Sequence, residues 1–325
     1  MEEINGYILD APLKNDNSGT SKWGFARRDQ HTYFIKEFLT PVYPLDTAAL
    51  SPETIARRRA ACDAFERAKV ALYNRINSAS RGSLVRVEEF FRSGSKYYIV
   101  TKRVETDETA PPDPAKLPFP ERITLCRSVA FAFQCLHQGG VVHGDVKPGN
   151  ILLYWLSPRR CAAKVIDFDC SFLVETPPKT GDELGCDLLY LAPEALMLMQ
   201  GAEVTLGPEV DVFALGLVFH EYLTGQLPEF DADTFGYPCG AALAGMQMAE
   251  ESSVEEASED AAAPETAGAA GPLLKVDASL PPEVRELLER MLEPDPEKRL
   301  TLVQVSTALK KIAGPIGFYP PGDLL

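Results

Sequence analysis

Apolar and polar positions recur with two different periods along the first hundred residues. Residues 32–38 and 96–101 form short alternating runs, the period of half-buried strands. Between them Ser51 and Pro52 open a longer stretch, the serine suited to an N-cap and the proline to the first helical position. Within it Ile55, Cys62, Phe65, Leu72 and Ile76 return at helical spacing, so one face of a long helix is expected to pack on the strands. Proline and carboxylates crowd residues 107–120, which discourages helix and sheet alike and reads as a connecting loop. Beyond it the pattern is helical over 121–138, 193–200, 209–224, 282–292 and 302–312. The expectation is an α+β chain of two lobes: a small β-rich one over 1–106 with one long helix, a linker over 107–120, and a larger, mainly α lobe over 121–314, followed by a tail, 315–325.

Composition adjusts this picture in three places. Seven carboxylates and no Lys or Arg stand in 240–271, among Ala, Ser, Thr and Gly. So little apolar area predicts a disordered insertion there. The formal charge of −15 argues against a nucleic-acid partner, whose backbone calls for Lys and Arg. Seven scattered cysteines include no Cys-x-x-Cys pair, which suggests reduced thiols and no structural metal. Neither a secretory start nor a run of 18 apolar residues is present, so a soluble cytoplasmic protein without a membrane partner is expected.

Candidate chemistry concentrates in His143-Gly144-Asp145-Val146-Lys147-Pro148-Gly149-Asn150 and, after an apolar run, in Val165-Ile166-Asp167-Phe168-Asp169. Phosphoryl transfer calls for a carboxylate to orient the attacking hydroxyl, a cation near the moving phosphate and oxygen ligands for a divalent metal. Asp145, Lys147, Asn150 and Asp167 supply those types.

With these motifs the chain resembles the eukaryotic-type Ser/Thr protein kinase superfamily, whose catalytic loop reads His-Arg-Asp-x-Lys-Pro-x-x-Asn and whose magnesium loop reads Asp-Phe-Gly. Leu191-Ala192-Pro193-Glu194 resembles the family's Ala-Pro-Glu. Asp211 resembles the helix Asp that holds the catalytic loop, and Arg299 the late Arg that pairs with that Glu. The resemblance implies a bilobal protein-kinase-like fold with ATP between the lobes. It makes Asp145 the base and Lys147 the catalytic cation, with Asn150 and Asp167 as ligands for Mg2+ or Mn2+. Lys36 would hold the α and β phosphates, paired with Glu66, or failing that Asp63. Gly19, Ser21 and Gly24 would form the glycine-rich loop. Ala26, Phe34 and Leu152 would enclose adenine, Thr101 would guard its back, and Lys102 and Val104 would form the hinge. Glu108 or Asp107 would reach the ribose. The implied partners are ATP and a protein substrate carrying Ser or Thr.

Four departures from the family pattern carry expectations of their own. Phe34 replaces a small residue and Ala26 a larger one, and the two are expected to offset each other in volume. Gly144 replaces the Arg that receives an activation-segment phosphate, which predicts an enzyme not switched on by that route, even though Ser171, Thr176 and Thr180 lie in the segment. Asp169 replaces the flexible glycine of the magnesium loop. Asp187 replaces a Thr and could pair with Lys147. A small-molecule phosphotransferase and a pseudokinase acting as a binding module remain the alternative readings.

Overall fold

The computed structural model describes residues 2–15, 21–46, 50–104, 113–157, 160–258 and 273–313. The chain forms two compact units, Met1–Glu108 and Thr109–Leu325.

The first unit is a six-stranded antiparallel sheet with one helix. Its strands are β1 (Glu3–Ile4), β2 (Tyr7–Leu9), β3 (Ser21–Arg28) and β4 (His31–Phe38), then helix α1 (Pro52–Ala79), then β5 (Val87–Ser93) and β6 (Lys96–Lys102). They lie in the order β1-β2-β3-β4-β6-β5. Strand alternation divides the side chains between two faces. Tyr33 and Ile35 join Tyr7, Leu9, Ala26, Tyr98 and Val100 in one apolar cluster. Phe34, Lys36 and Phe38 therefore take the other face, where α1 packs: the Phe65 ring lies 5.5 Å from Phe38 and 5.3 Å from Tyr97. Helix α1 begins where Ser51 Oγ accepts the Thr54 N–H at 3.3 Å, the cap expected from the sequence. Near its end the Asn77 amide clamps the main chain of Val87 through bonds of 2.8 and 2.9 Å, tying the helix to β5.

In the second unit α2 (Phe119–Gln138) leads into β7 (Val141–Val142), the hairpin β8 (Ile151–Ser157) and β9 (Arg160–Val165), and β10 (Phe172–Leu173), which pairs with β7. Five further helices and one short turn of helix follow: α3 (Pro193–Met199), α4 (Glu209–Thr224), α5 (Ala232–Phe235), α6 (Pro238–Ser258), α7 (Pro282–Met291) and α8 (Leu302–Ala313). Helix α4 is apolar around its whole circumference and is the centre of the unit, with Val212, Phe213, Leu215, Leu217 and Val218 all buried.

The structure departs from the expectation of disorder over 240–271 in the part that it describes, 240–258. Residues 240–258 lie in α6, and Cys239, Ala241 and Ala242 join the cluster that holds Leu198 and Phe213. Alanine, methionine and glutamate favour helix strongly, a bias that counting apolar area overlooks. Residues 259–271, and likewise 107–112 of the linker and the tail 315–325, lie outside the described residues. Among the described residues no helix is long and apolar enough to cross a membrane.

Candidate active site

The loop carrying Asp145 is pinned from below by Asp211, a residue of α4 that is 1% exposed. Its Oδ2 accepts the His143 N–H at 2.8 Å and faces His137 Nε2 at 2.8 Å, while Oδ1 accepts the Gly144 N–H at 2.9 Å. A buried carboxylate with three donors is stable where an unpaired one is not. His143 in turn lies with Nε2 3.0 Å from the Ile166 carbonyl oxygen, and its own carbonyl accepts the Ser171 hydroxyl at 2.9 Å. The segment after Asp167 is thereby tied to the catalytic loop without any phosphate. Gly144 sits at φ +76°, and a Cβ there would lie 2.6 Å from the Cys170 carbonyl oxygen. This backbone therefore excludes an arginine at position 144 as well as lacking one.

Asp145 gathers the rest of the site. Oδ2 faces Lys147 Nζ at 3.0 Å and accepts Asn150 Nδ2–H at 2.9 Å, and Oδ1 accepts the Asp187 N–H at 2.9 Å. Asn150, 6% exposed, also donates to the Asp145 carbonyl at 2.8 Å. With its nitrogen so committed, its side-chain oxygen is the end left to act as a ligand. Burial works against the Lys147 ammonium, but its hydrogen bond to Asp145 and the charges of Asp145, Asp187 and Asp167 raise its pKa overall. Asp167 stands just past β9 at φ +62°, a left-handed conformation that a non-glycine residue rarely adopts. The Ile166 N–H holds it there by bonding to the Asn150 carbonyl at 3.0 Å. One carboxylate and one amide oxygen fit Mg2+, which takes few protein ligands and completes its shell with phosphate and water. The thiols of Cys170 and Cys186 are pushed up to about 12 and about 11, chiefly by burial and then by the Asp145 charge, so neither is a nucleophile here.

The floor of this unit is fixed by Arg299 and Glu194, whose side chains are 0% and 5% exposed. Their fork is bidentate, with Nη1–Oε1 at 2.7 Å and Nη2–Oε2 at 3.0 Å. Leu152 is half-buried on β8, opposite Lys164 of β9.

In the first unit Lys36 is 6% exposed and shares a sheet face with Phe34, while Thr101 lies directly across from Phe34 on β6. Lys102 is exposed at the end of that strand, and Val104 follows half-buried. Three expectations fail in this unit. Glu66 is exposed, and no hydrogen bond or ion pair joins it to Lys36 among the described residues. The sheet-facing stripe of α1 instead presents Lys69, whose Nζ lies 5.6 Å from the Phe38 ring centroid. Position 66 is one residue past Phe65, about 100° round the helix. Ser21 and Gly24 lie inside β3, not in a loop: Gly24 pairs with Ile35, and a Cβ on it would come within 2.9 Å of the Leu13 side chain. Ala26 pairs with Tyr33 in the apolar cluster, on the face opposite Phe34, so the two cannot offset each other in volume. The residue beside Phe34 is Phe25, and with Trp23 they form an aromatic trio whose ring centroids are 5.7 to 6.1 Å apart. The Arg103 guanidinium lies 4.4 Å from the Phe25 centroid. Sequence reasoning missed Trp23, Phe25 and Lys69; the first two follow from the hairpin register, which sets Trp23 across from Lys36 and Phe25 across from Phe34. Gly19, Asp107 and Glu108 lie outside the described residues.

The protein kinase domain family model matches residues 69–309, and the chain belongs to that family. The match begins within α1, so β1 to β4 and Lys36 precede it. Calcium-dependent protein kinase 7 of Arabidopsis thaliana is 29% identical over 225 residues, 69% of this chain and 36% of that protein. Calcium-dependent protein kinase 3 of Oryza sativa subsp. japonica is 27% identical over 261 residues, 79% and 41% of the two chains. Serine/threonine-protein kinase A of Synechocystis sp. is 34% identical over 125 residues, 35% and 23%. The chain thus spans well under half the length of these curated relatives.

Proposed function

We propose that this chain is an ATP- and Mg2+-dependent protein kinase that phosphorylates Ser or Thr. The observation that carries the reading is the arrangement around Asp145. Both lone pairs of Oδ2 are taken by Lys147 and Asn150, whereas among the described residues Oδ1 holds only the Asp187 N–H and keeps one lone pair. An acceptor hydroxyl bonds there, is oriented for attack and gives up its proton to Asp145 as the phosphoryl group moves. Lys147, 3.0 Å from the same carboxylate, supplies the positive charge for the phosphoryl oxygens. Asn150 and Asp167 would hold Mg2+, which neutralises phosphate charge when bound. Lys36, on the first unit, serves the α and β phosphates of ATP. A lysine two residues after the base, rather than a tyrosine-kinase pattern, favours Ser and Thr over Tyr. The test is incubation with labelled ATP, Mg2+ and a generic basic protein, followed by phosphoamino-acid analysis. Label on Ser or Thr supports the proposal, and label on Tyr alone opposes it.

Two observations favour a second reading, a binding module with weakened chemistry: Glu66 is exposed on α1, and the rings of Trp23, Phe25 and Phe34 cluster on the strands that carry Lys36. ATP binding without transfer to any acceptor would select it.

A further inference from the structure

We infer that Asp187 selects protein acceptors that carry Lys or Arg close to the phosphorylated hydroxyl. The inference rests on the phosphoryl-transfer reading above and names the substrate class of that same site.

Asp187 is held in place by its own main chain and a short turn. Its N–H bonds to Asp145 Oδ1 at 2.9 Å, and its Oδ1 accepts the Leu189 N–H at 3.0 Å. Among the described residues its Oδ2 makes no hydrogen bond. The nearest cation, Lys147 Nζ, is 3.7 Å away and already lies 3.0 Å from Asp145. Two carboxylates therefore share one ammonium, and the second is the open one: the Asp187 side chain is 41% exposed against 11% for Asp145. The acidic residue Glu183 lies four positions earlier, where its Oε1 accepts the Lys179 N–H and the Thr180 hydroxyl, and no hydrogen bond joins it to Asp145 among the described residues. Asp187 is distinguished by its main-chain bond to the base itself and by its exposed carboxylate.

Its position fixes what it reads. The vacant lone pair that receives the hydroxyl is on Asp145 Oδ1, the atom already bonded to the Asp187 main chain. A hydroxyl seated there brings the acceptor's adjacent residues past the Asp187 carboxylate, since successive residues advance about 3.5 Å along an extended chain. The long stems of Lys and Arg deliver a cation across one or two such steps. A glutamate at the same places meets Asp187 and Asp145 together and is repelled. Because Asp187 is partly solvent-exposed, the preference is moderate, about tenfold, and weakens as salt is added.

The test uses three peptides, each with one central Ser, that differ only in carrying Lys, Gln or Glu at the residues flanking it. Steady-state transfer from ATP is measured for the wild type, Asp187→Asn and Asp187→Glu, and binding of fluorescein-labelled peptides is followed by anisotropy without ATP. Asn keeps an oxygen for the Leu189 N–H, so the turn is preserved. The expected result is a Lys-over-Gln preference of about tenfold in the wild type, expressed in KM rather than kcat. It should shrink to about twofold or less in Asp187→Asn, persist in Asp187→Glu and fall with added salt. An unchanged preference in Asp187→Asn, or transfer to all three peptides without preference, overturns the inference. Absence of transfer to every peptide marks failure of the kinase reading instead. Anisotropy then still decides, with Asp187-dependent binding of the Lys peptide in support and equal binding of all three against. Phosphorylation of a free amino alcohol such as ethanolamine in place of the peptides overturns it as well.

Discussion

Replacing Arg299 by Met tests whether the second unit is organised around one buried ion pair. The Arg299 guanidinium makes five hydrogen bonds: to both Glu194 oxygens at 2.7 and 3.0 Å, and to the carbonyls of Glu293, Glu209 and Pro294 at 2.8, 2.8 and 3.0 Å. Truncation strands a carboxylate that is 5% exposed, together with three carbonyls at the ends of α4 and of the 293–299 loop. Breaking a buried pair from one side costs about 3–5 kcal/mol, most of it from the charge left behind. Arg299→Met should therefore lose about 4 kcal/mol, and Arg299→Lys about half as much because an ammonium cannot reproduce the fork. With a urea m-value of about 2–3 kcal/mol/M, the methionine variant unfolds about 1.5 M earlier by circular dichroism. Adding Glu194→Met to it removes the stranded charge and should recover part of the loss, although each change alone is destabilising. A loss under about 1 kcal/mol in Arg299→Met, or a double variant no better than the single one, would refute the reasoning.

Three further outcomes follow from the structure. Gly144→Ala collides with the Cys170 carbonyl at a left-handed φ, so it should unfold more easily by about 1–3 kcal/mol and lose phosphoryl transfer, as thermal melts and transfer assays will read. Burial lowers the pKa of His220, whose Nδ1 faces the Gln226 carbonyl at 2.7 Å and whose Nε2 accepts the Asp277 N–H at 3.1 Å, so the neutral ring is the native one. The unfolded chain then binds the extra proton, and stability should fall as pH drops below about 6.5 toward the lower native value. Urea midpoints at pH 7.5 and 5.5 should diverge more for the wild type than for His220→Gln, and equal divergence would exclude the histidine. Phe34→Ala, uncompensated by Ala26 on the other face, should open the side of the sheet that bears Lys36 and tighten ATP binding several-fold by calorimetry; weaker binding would contradict this.

What could be read from the residues differed between the two units for a physical reason. Around Asp145 the chemistry is local: a single loop carries the carboxylate, the lysine and the amide, and the structure brings Lys147 and Asn150 each within 3.0 Å of Asp145 Oδ2. Glu194 and Arg299 were legible through the family resemblance, whose late Arg pairs with that Glu, and the structure shows the pair buried. The sheet was less forgiving. Side chains alternate with period two, so a misreading by one residue exchanges the faces, and Ala26 was taken for a neighbour of Phe34 when Phe25 is. Helix α1 imposed the same penalty by rotation, turning Glu66 outward and Lys69 inward. In α6 the acidic, alanine-rich composition concealed four residues, Cys239, Ala241, Ala242 and Leu243, that are buried. Local composition carries no information about what a segment packs against.

The most direct test of the account is transfer from labelled ATP with Mg2+ by the wild type and Asp145→Asn, on the chain itself and on a generic basic protein. Asparagine preserves the shape of the site but cannot take the hydroxyl proton, so transfer to Ser or Thr should fall at least about a hundredfold while nucleotide still binds. Transfer by Asp145→Asn at the wild-type rate would contradict the assignment of Asp145 as base and, with it, the mechanism built around that residue.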